Sequence, residues 1–120
     1  MIIERLLHYD GRILRDMAWE LLTLENSWVE YGSPQPAPQF QMDIFGYVTL
    51  MGMMKNGTTT DPTTVATLPK GFWPPDYHYF TVAISGPSSC VIAITPTGEI
   101  SGKGLNATWT SLAGIRFRTY

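Results

Sequence analysis

Phe72, Trp73, Tyr77, Tyr79 and Phe80 crowd into nine positions of the chain. Flat ring faces suit sugars, because C–H groups pack on the ring while hydroxyls find polar partners at the rim. Trp73, Tyr77 and Tyr79 flank Pro74-Pro75, whose fixed backbone lowers the ordering cost of presenting rings on a loop. Only Lys70, Asp76 and His78 are ionisable nearby, so the surface is expected to be neutral. Affinity per site would then be weak, and several copies would have to engage at once. The competing reading makes the rings core or subunit-interface residues. Phe72, Phe80 and Trp109 fit that reading, whereas Trp73, Tyr77 and Tyr79 fit either.

No other grouping of residues points to chemistry. Glu30, Asp43, Asp61, Asp76 and Glu99 are scattered singly over turns and strand ends, where solvated acids are common. A glycosidase would need two of them to converge on one bond. His8 and His78 have no second ligand at metal spacing, so no metal site or cofactor is expected. No serine sits in a GxSxG elbow, and Gly102-Lys103-Gly104 lacks the rest of a phosphate loop. No catalytic residue is expected.

With 120 residues there is room for one modest core. A formal charge of −2 argues against nucleic acid, which attracts basic surfaces. Hydrophobic residues make up 44% of the chain and charged ones only 15%, so Thr, Ser, Gly and Pro must cover much of the surface. The lone Cys90 lies in an apolar run and reads as a buried thiol. No apolar run approaches the ~20 residues of a bilayer span. Glu4, Arg5, His8 and Asp10 break up any signal peptide, so synthesis in the cytoplasm is expected.

The elements that must carry the aromatic loop are strands. Phe45 to Met54 is apolar on both faces and reads as a strand between two layers. Asn56-Gly57 is a strong turn signal, and Thr63 to Leu68 is β-branched enough to return as its hairpin partner. Gly71, between Pro69 and Pro74, reads as a second positive-φ position. Ser27–Tyr31, Phe40–Asp43, Tyr77–Ser85, Cys90–Thr95, Glu99–Ser101, Thr108–Leu112 and Gly114–Tyr120 supply the remaining strands. Their number and short turns suggest a β-sandwich or jelly roll over 27–120.

Residues 1–26 have a different pattern. Leu7, Leu14, Leu21 and Trp28 fall seven apart, and Met17 and Leu24 interleave with them. That 3,4 spacing predicts a helix over about 11–26, capped by Asp10. Ile13, Ala18 and Leu22 widen its stripe, and a helix this short does not fold alone in water. The stripe either packs on the chain's own β-domain or bundles with identical chains.

The ordered pieces GYVTLMGMMKNGT, TVATLPKGFWPP, FTVAISG, VIAITPTGEI and WTSLAGIRFRT, entered through SWVEYG and PAPQFQMDIFG, carry a resemblance. Together they are similar to the C-terminal domain of bacteriophage tail fibre, baseplate and receptor-binding proteins. The resemblance covers 27–120. It implies a compact β-sandwich that assembles as a homotrimer, with the heptad stretch in the place of a helical neck. It further implies a non-enzymatic virion protein, anchored to other phage structural proteins through the helix and attached to host cell-surface polysaccharide. A purely structural baseplate, decoration or head-fibre role is the alternative, and a polysaccharide-cleaving enzyme is a third. LPKGFWPP and WTSLAGI resemble structural signatures, and no receptor-contacting residue transfers from the family.

Overall fold

The computed structural model describes residues 18–120. Eleven strands run in the order β1 (Glu20–Leu21), β2 (Val29–Glu30), β3 (Gln39–Met42), β4 (Tyr47–Met51), β5 (Met53–Lys55), β6 (Thr63–Thr67), β7 (His78–Ile84), β8 (Ser88–Ile94), β9 (Glu99–Lys103), β10 (Thr110–Ser111) and β11 (Arg116–Arg118). They form two antiparallel sheets, one ordered β1-β3-β4-β11 and the other β2-β5-β10-β7-β8-β9-β6. Alternation sends one face of each strand inward. Val48, Leu50, Phe40 and Phe117 from the first sheet meet Met54, Val65, Ile92, Ile94 and Ile100 from the second in one core.

The stretch from Phe45 to Met54 is two strands, not one. Chain direction changes at Gly52, whose φ is +113°. Val48 and Leu50 are buried beneath the four-stranded sheet, and Met54 is buried beneath the seven-stranded one. The chain between β10 and β11 makes the same crossing alongside it. Leu50 N donates to Ile115 O at 3.0 Å, and Leu112 N donates to Gly52 O at 2.8 Å. The two sheets therefore share a corner built by paired strands, the usual way a chain passes between layers. This is where the WTSLAGI segment sits, with Thr110, Leu112 and Ile115 fully buried.

The expected hairpin across Asn56-Gly57 does not form. β5 pairs with β2 and β10, whereas β6 pairs with β9. Asn56 has the expected positive φ of 64°. Gly57 is needed for a different reason, because a Cβ there would lie 2.0 Å from the Trp28 indole.

The helix expected over 11–26 is absent from its described part. Glu20–Leu21 is a strand paired with Phe40 and Gln39. Leu22 N donates to Pro38 O and Glu25 N to Val65 O, so these amides serve the sheets instead of an i−4 carbonyl. Asn26 and Ser27 take φ of 54° and 70°, which no right-handed helix accommodates. Leu24 bridges to Ala66, Leu21 is 71% exposed and Trp28 is 3% exposed. These three residues therefore do not form a common helical stripe. Leu7, Leu14 and Met17 lie outside the described residues, as does His8.

Among the described residues no helix is long and apolar enough to cross a membrane. No group of three or more potential metal ligands occurs among them either. Cys90 is buried, and burial raises its thiol pKa.

Candidate functional site

Besides Trp19 and Tyr31, the exposed aromatic side chains of the described residues lie on two surfaces. The first is the Pro69–Tyr79 loop with the strand it enters. Its backbone is fixed from below: Phe72 packs edge-on against Phe40 with ring centroids 5.0 Å apart, and Pro74 is fully buried. Trp73 Nε1 donates to Leu68 O at 2.7 Å, and its ring packs against the core where Gly98 leaves room for it. Trp73 thus braces the loop, with its one donor committed inside the protein. Trp73→Ala is expected to destabilise the fold by about 2 kcal/mol or more, which thermal melting checks.

Tyr77 and Tyr79 do the opposite. They are 61% and 68% exposed. His78 and Phe80 alternate with them and turn inward, where His78 stacks against Phe80 and Phe117 at 6.3 and 6.2 Å. Tyr79 stands at the head of a row of short side chains, because it pairs with Ala93, which pairs with Ser101, which pairs with Thr64. The row is flat, and Thr64 Oγ1 donates to Glu99 Oε2 at its end. A planar ring above a shallow hydroxyl-bearing lane suits a sugar lying on the sheet. The structure therefore leaves Tyr77 and Tyr79 exposed and turns Trp73 inward.

The second surface is the β3–β4 turn with β11, which sequence reading passed over. Asp43 Oδ1 accepts from Phe45 N at 2.9 Å and from Tyr47 N at 3.0 Å. Its Oδ2 receives Arg116 at 3.2 Å, and the Arg116 guanidinium lies 4.3 Å over the Tyr47 ring. Arg118 lies 5.4 Å over Tyr120, which meets Tyr47 edge-to-face at 6.3 Å. The signal was available, since Asp followed three residues later by Gly marks a side-chain-capped turn. Only the pairing of β4 with β11 shows that GIRFRTY lies beside that turn.

Burial opposes ionisation of Asp43, but the Tyr47 and Phe45 amides and the Arg116 guanidinium outweigh it and lower its pKa. A carboxyl with a depressed folded pKa stabilises the fold above its unfolded value and loses that contribution as pH falls through the folded one. Asp43→Asn is therefore expected to lower the melting temperature at neutral pH, with the gap from wild type closing below about pH 4. Paired melts across the acid range check this.

Comparison with solved structures gives the fold its relatives. The chain superposes on the receptor binding protein (gp15) of Listeria phage PSA with a TM-score of 0.68 and 20% identity, over 98% of this chain and 75% of that one. The fold is that of phage receptor-binding proteins. The head domain of lactococcal phage bIL170 also matches, with a TM-score of 0.57 and 19% identity, over 87% of this chain and all but 1% of that domain. No family profile and no curated protein matches the chain. The fibre-domain resemblance read from short ordered motifs thus agrees with the receptor-binding-head fold.

Proposed function

We propose that this protein is the receptor-binding head of a bacteriophage particle and attaches it, without catalysis, to polysaccharide on the host cell surface. The observation that carries the proposal is the match to a receptor-binding protein over nearly the whole chain. Exposed Tyr79 at the head of the Ala93–Ser101–Thr64 lane, with Tyr77 exposed two residues before it, supplies a surface suited to sugar.

The head acts as a homotrimer joined to other virion proteins through its N-terminal residues, which makes weak sites effective together. Subunit contact falls on the apolar margin around β1 and β2. Leu21, Val29 and Tyr31 are exposed there, beside a groove of about 300 Å³ lined by Leu24, Trp28, Ala37 and Pro38. Light scattering on the purified protein should give the mass of three chains. A monomer at micromolar concentration removes the trimer from this reading.

The test of the site uses Tyr77→Ala and Tyr79→Ala. Both are surface changes, expected to alter stability by about 0.5 kcal/mol or less. Each should weaken adsorption to isolated cell walls, and walls from Listeria and Lactococcus are the first panel because of the fold neighbours. Unchanged adsorption in the double variant would move the receptor site elsewhere on the head.

A further inference from the structure

We infer that the outer face of β4 and β11, with the adjoining cleft at the β3–β4 turn, is a second saccharide site, selective for sugars that carry an acidic group. The inference rests on glycan recognition by the head and adds a ligand class and a place for it.

Register puts the cationic groups together. Arg116 pairs with Thr49 and Arg118 with Tyr47, while Phe117 between them points into the core. The two arginines therefore leave the strand on one exposed face, with their Cα atoms about 7 Å apart by strand rise. A guanidinium offers a planar fork of N–H donors that matches a carboxylate or a phosphate group. Arg116 is held in place before any ligand arrives, stacked on Tyr47 and tied to Asp43. Asp43 is itself pinned by two backbone amides. Arg118 has no carboxylate partner among the described residues, and its cation rests on the Tyr120 ring. Among the described side chains of this patch, two guanidinium groups thus stand beside one already engaged carboxylate. Charge complementarity selects an anion for this patch.

The sugar ring has its own place. A cleft of about 380 Å³ opens beside the patch, lined by Met42, Ile44, Phe45, Gly46, Gly71, Thr119 and Tyr120. That volume is in the range of small-ligand sites. Phe45 and Tyr120 are both exposed at its mouth. Tyr120 belongs to both parts, since its ring lies against Gly46 on one side and under Arg118 on another. An acidic group on Arg118 therefore leaves the attached ring over the apolar cleft. Among the described residues the Tyr77–Tyr79 surface carries no arginine, so the two sites would read different features of a polysaccharide.

The test is an amide-resolved NMR titration of the purified protein with glucuronate, glucose 6-phosphate, glucose and inorganic phosphate. Both acidic sugars should shift amides of residues 43–47 and 116–120, and glucose should bind roughly tenfold more weakly or not at all. Comparing glucuronate with glucose 6-phosphate tells a carboxylate from a phosphate preference. Arg118→Gln should erase the preference for acidic sugars and leave the melting temperature unchanged. Phe45→Ala should weaken both acidic sugars without affecting inorganic phosphate. Inorganic phosphate binding as well as the sugar phosphate would reduce the patch to an ion site and overturn the inference. So would equal shifts with glucose, or none with either acidic sugar at the highest soluble concentration. Cell-wall adsorption separates the two readings. A head that adsorbs to walls but shows no acidic-sugar preference keeps its receptor function and loses this site.

Discussion

Gly52→Ala should remove a large part of the stability of the fold. The residue turns the chain from one sheet to the other with φ of +113°, a conformation that side-chain-bearing residues rarely adopt. A Cβ there would also lie 2.4 Å from Ala37 O and 2.5 Å from the Pro38 Cα. These are backbone atoms, so no rotamer change relieves the clash. Strain and overpacking together should cost about 4 kcal/mol or more, against a total stability for a domain of about 5–15 kcal/mol. Gly71→Ala is the matched control. Its φ is +101°, but nothing lies within 4 Å of the added Cβ. It should lose only about 1–3 kcal/mol from backbone strain. Chemical denaturation of both variants checks the pair, and equal losses would mean that close packing at the corner contributes nothing.

The second large effect is at the contact between Gly57 and Trp28. Trp28 is buried, and its Nε1 donates to Thr58 O at 3.1 Å, so its ring and its donor are both satisfied inside the fold. Trp28→Ala should cost about 3–5 kcal/mol through lost burial and a cavity. Gly57→Val should cost about 3 kcal/mol, because its Cβ would overlap the indole. The two losses should not add. With the indole gone, Gly57→Val should cost much less, and a double-mutant cycle reads that coupling directly. Strict additivity would mean that the cost at Gly57 does not come from overlap with the indole.

Much of the sheet architecture was legible because turns interrupt it clearly. Gly86-Pro87 and Pro96-Thr97-Gly98 delimit β7, β8 and β9, whose alternation the structure keeps. Three features were not legible, each for a physical reason. Leu14, Leu21 and Trp28 are spaced as a heptad, yet Leu21 lies on a two-residue strand and Trp28 in the core. A strand that short carries too few residues for alternation to outweigh a 3,4 pattern. The apolar run from Phe45 to Met54 has the period of one strand, and only the positive φ at Gly52 divides it between sheets. The arginine–tyrosine face depends on residues 43–47 meeting residues 116–120, a pairing across more than seventy positions that no local pattern encodes. The aromatic loop was readable as a group. What sequence could not show was that Trp73 points inward while Tyr77 and Tyr79 point out.

The proposed recognition of a host polysaccharide is tested most directly by binding of the labelled, purified protein to isolated cell walls before and after treatment. Periodate, which cleaves sugar diols, should abolish binding, whereas protease treatment of the same walls should leave it intact. Binding that survives periodate and is lost to protease would place the receptor among proteins and contradict the account.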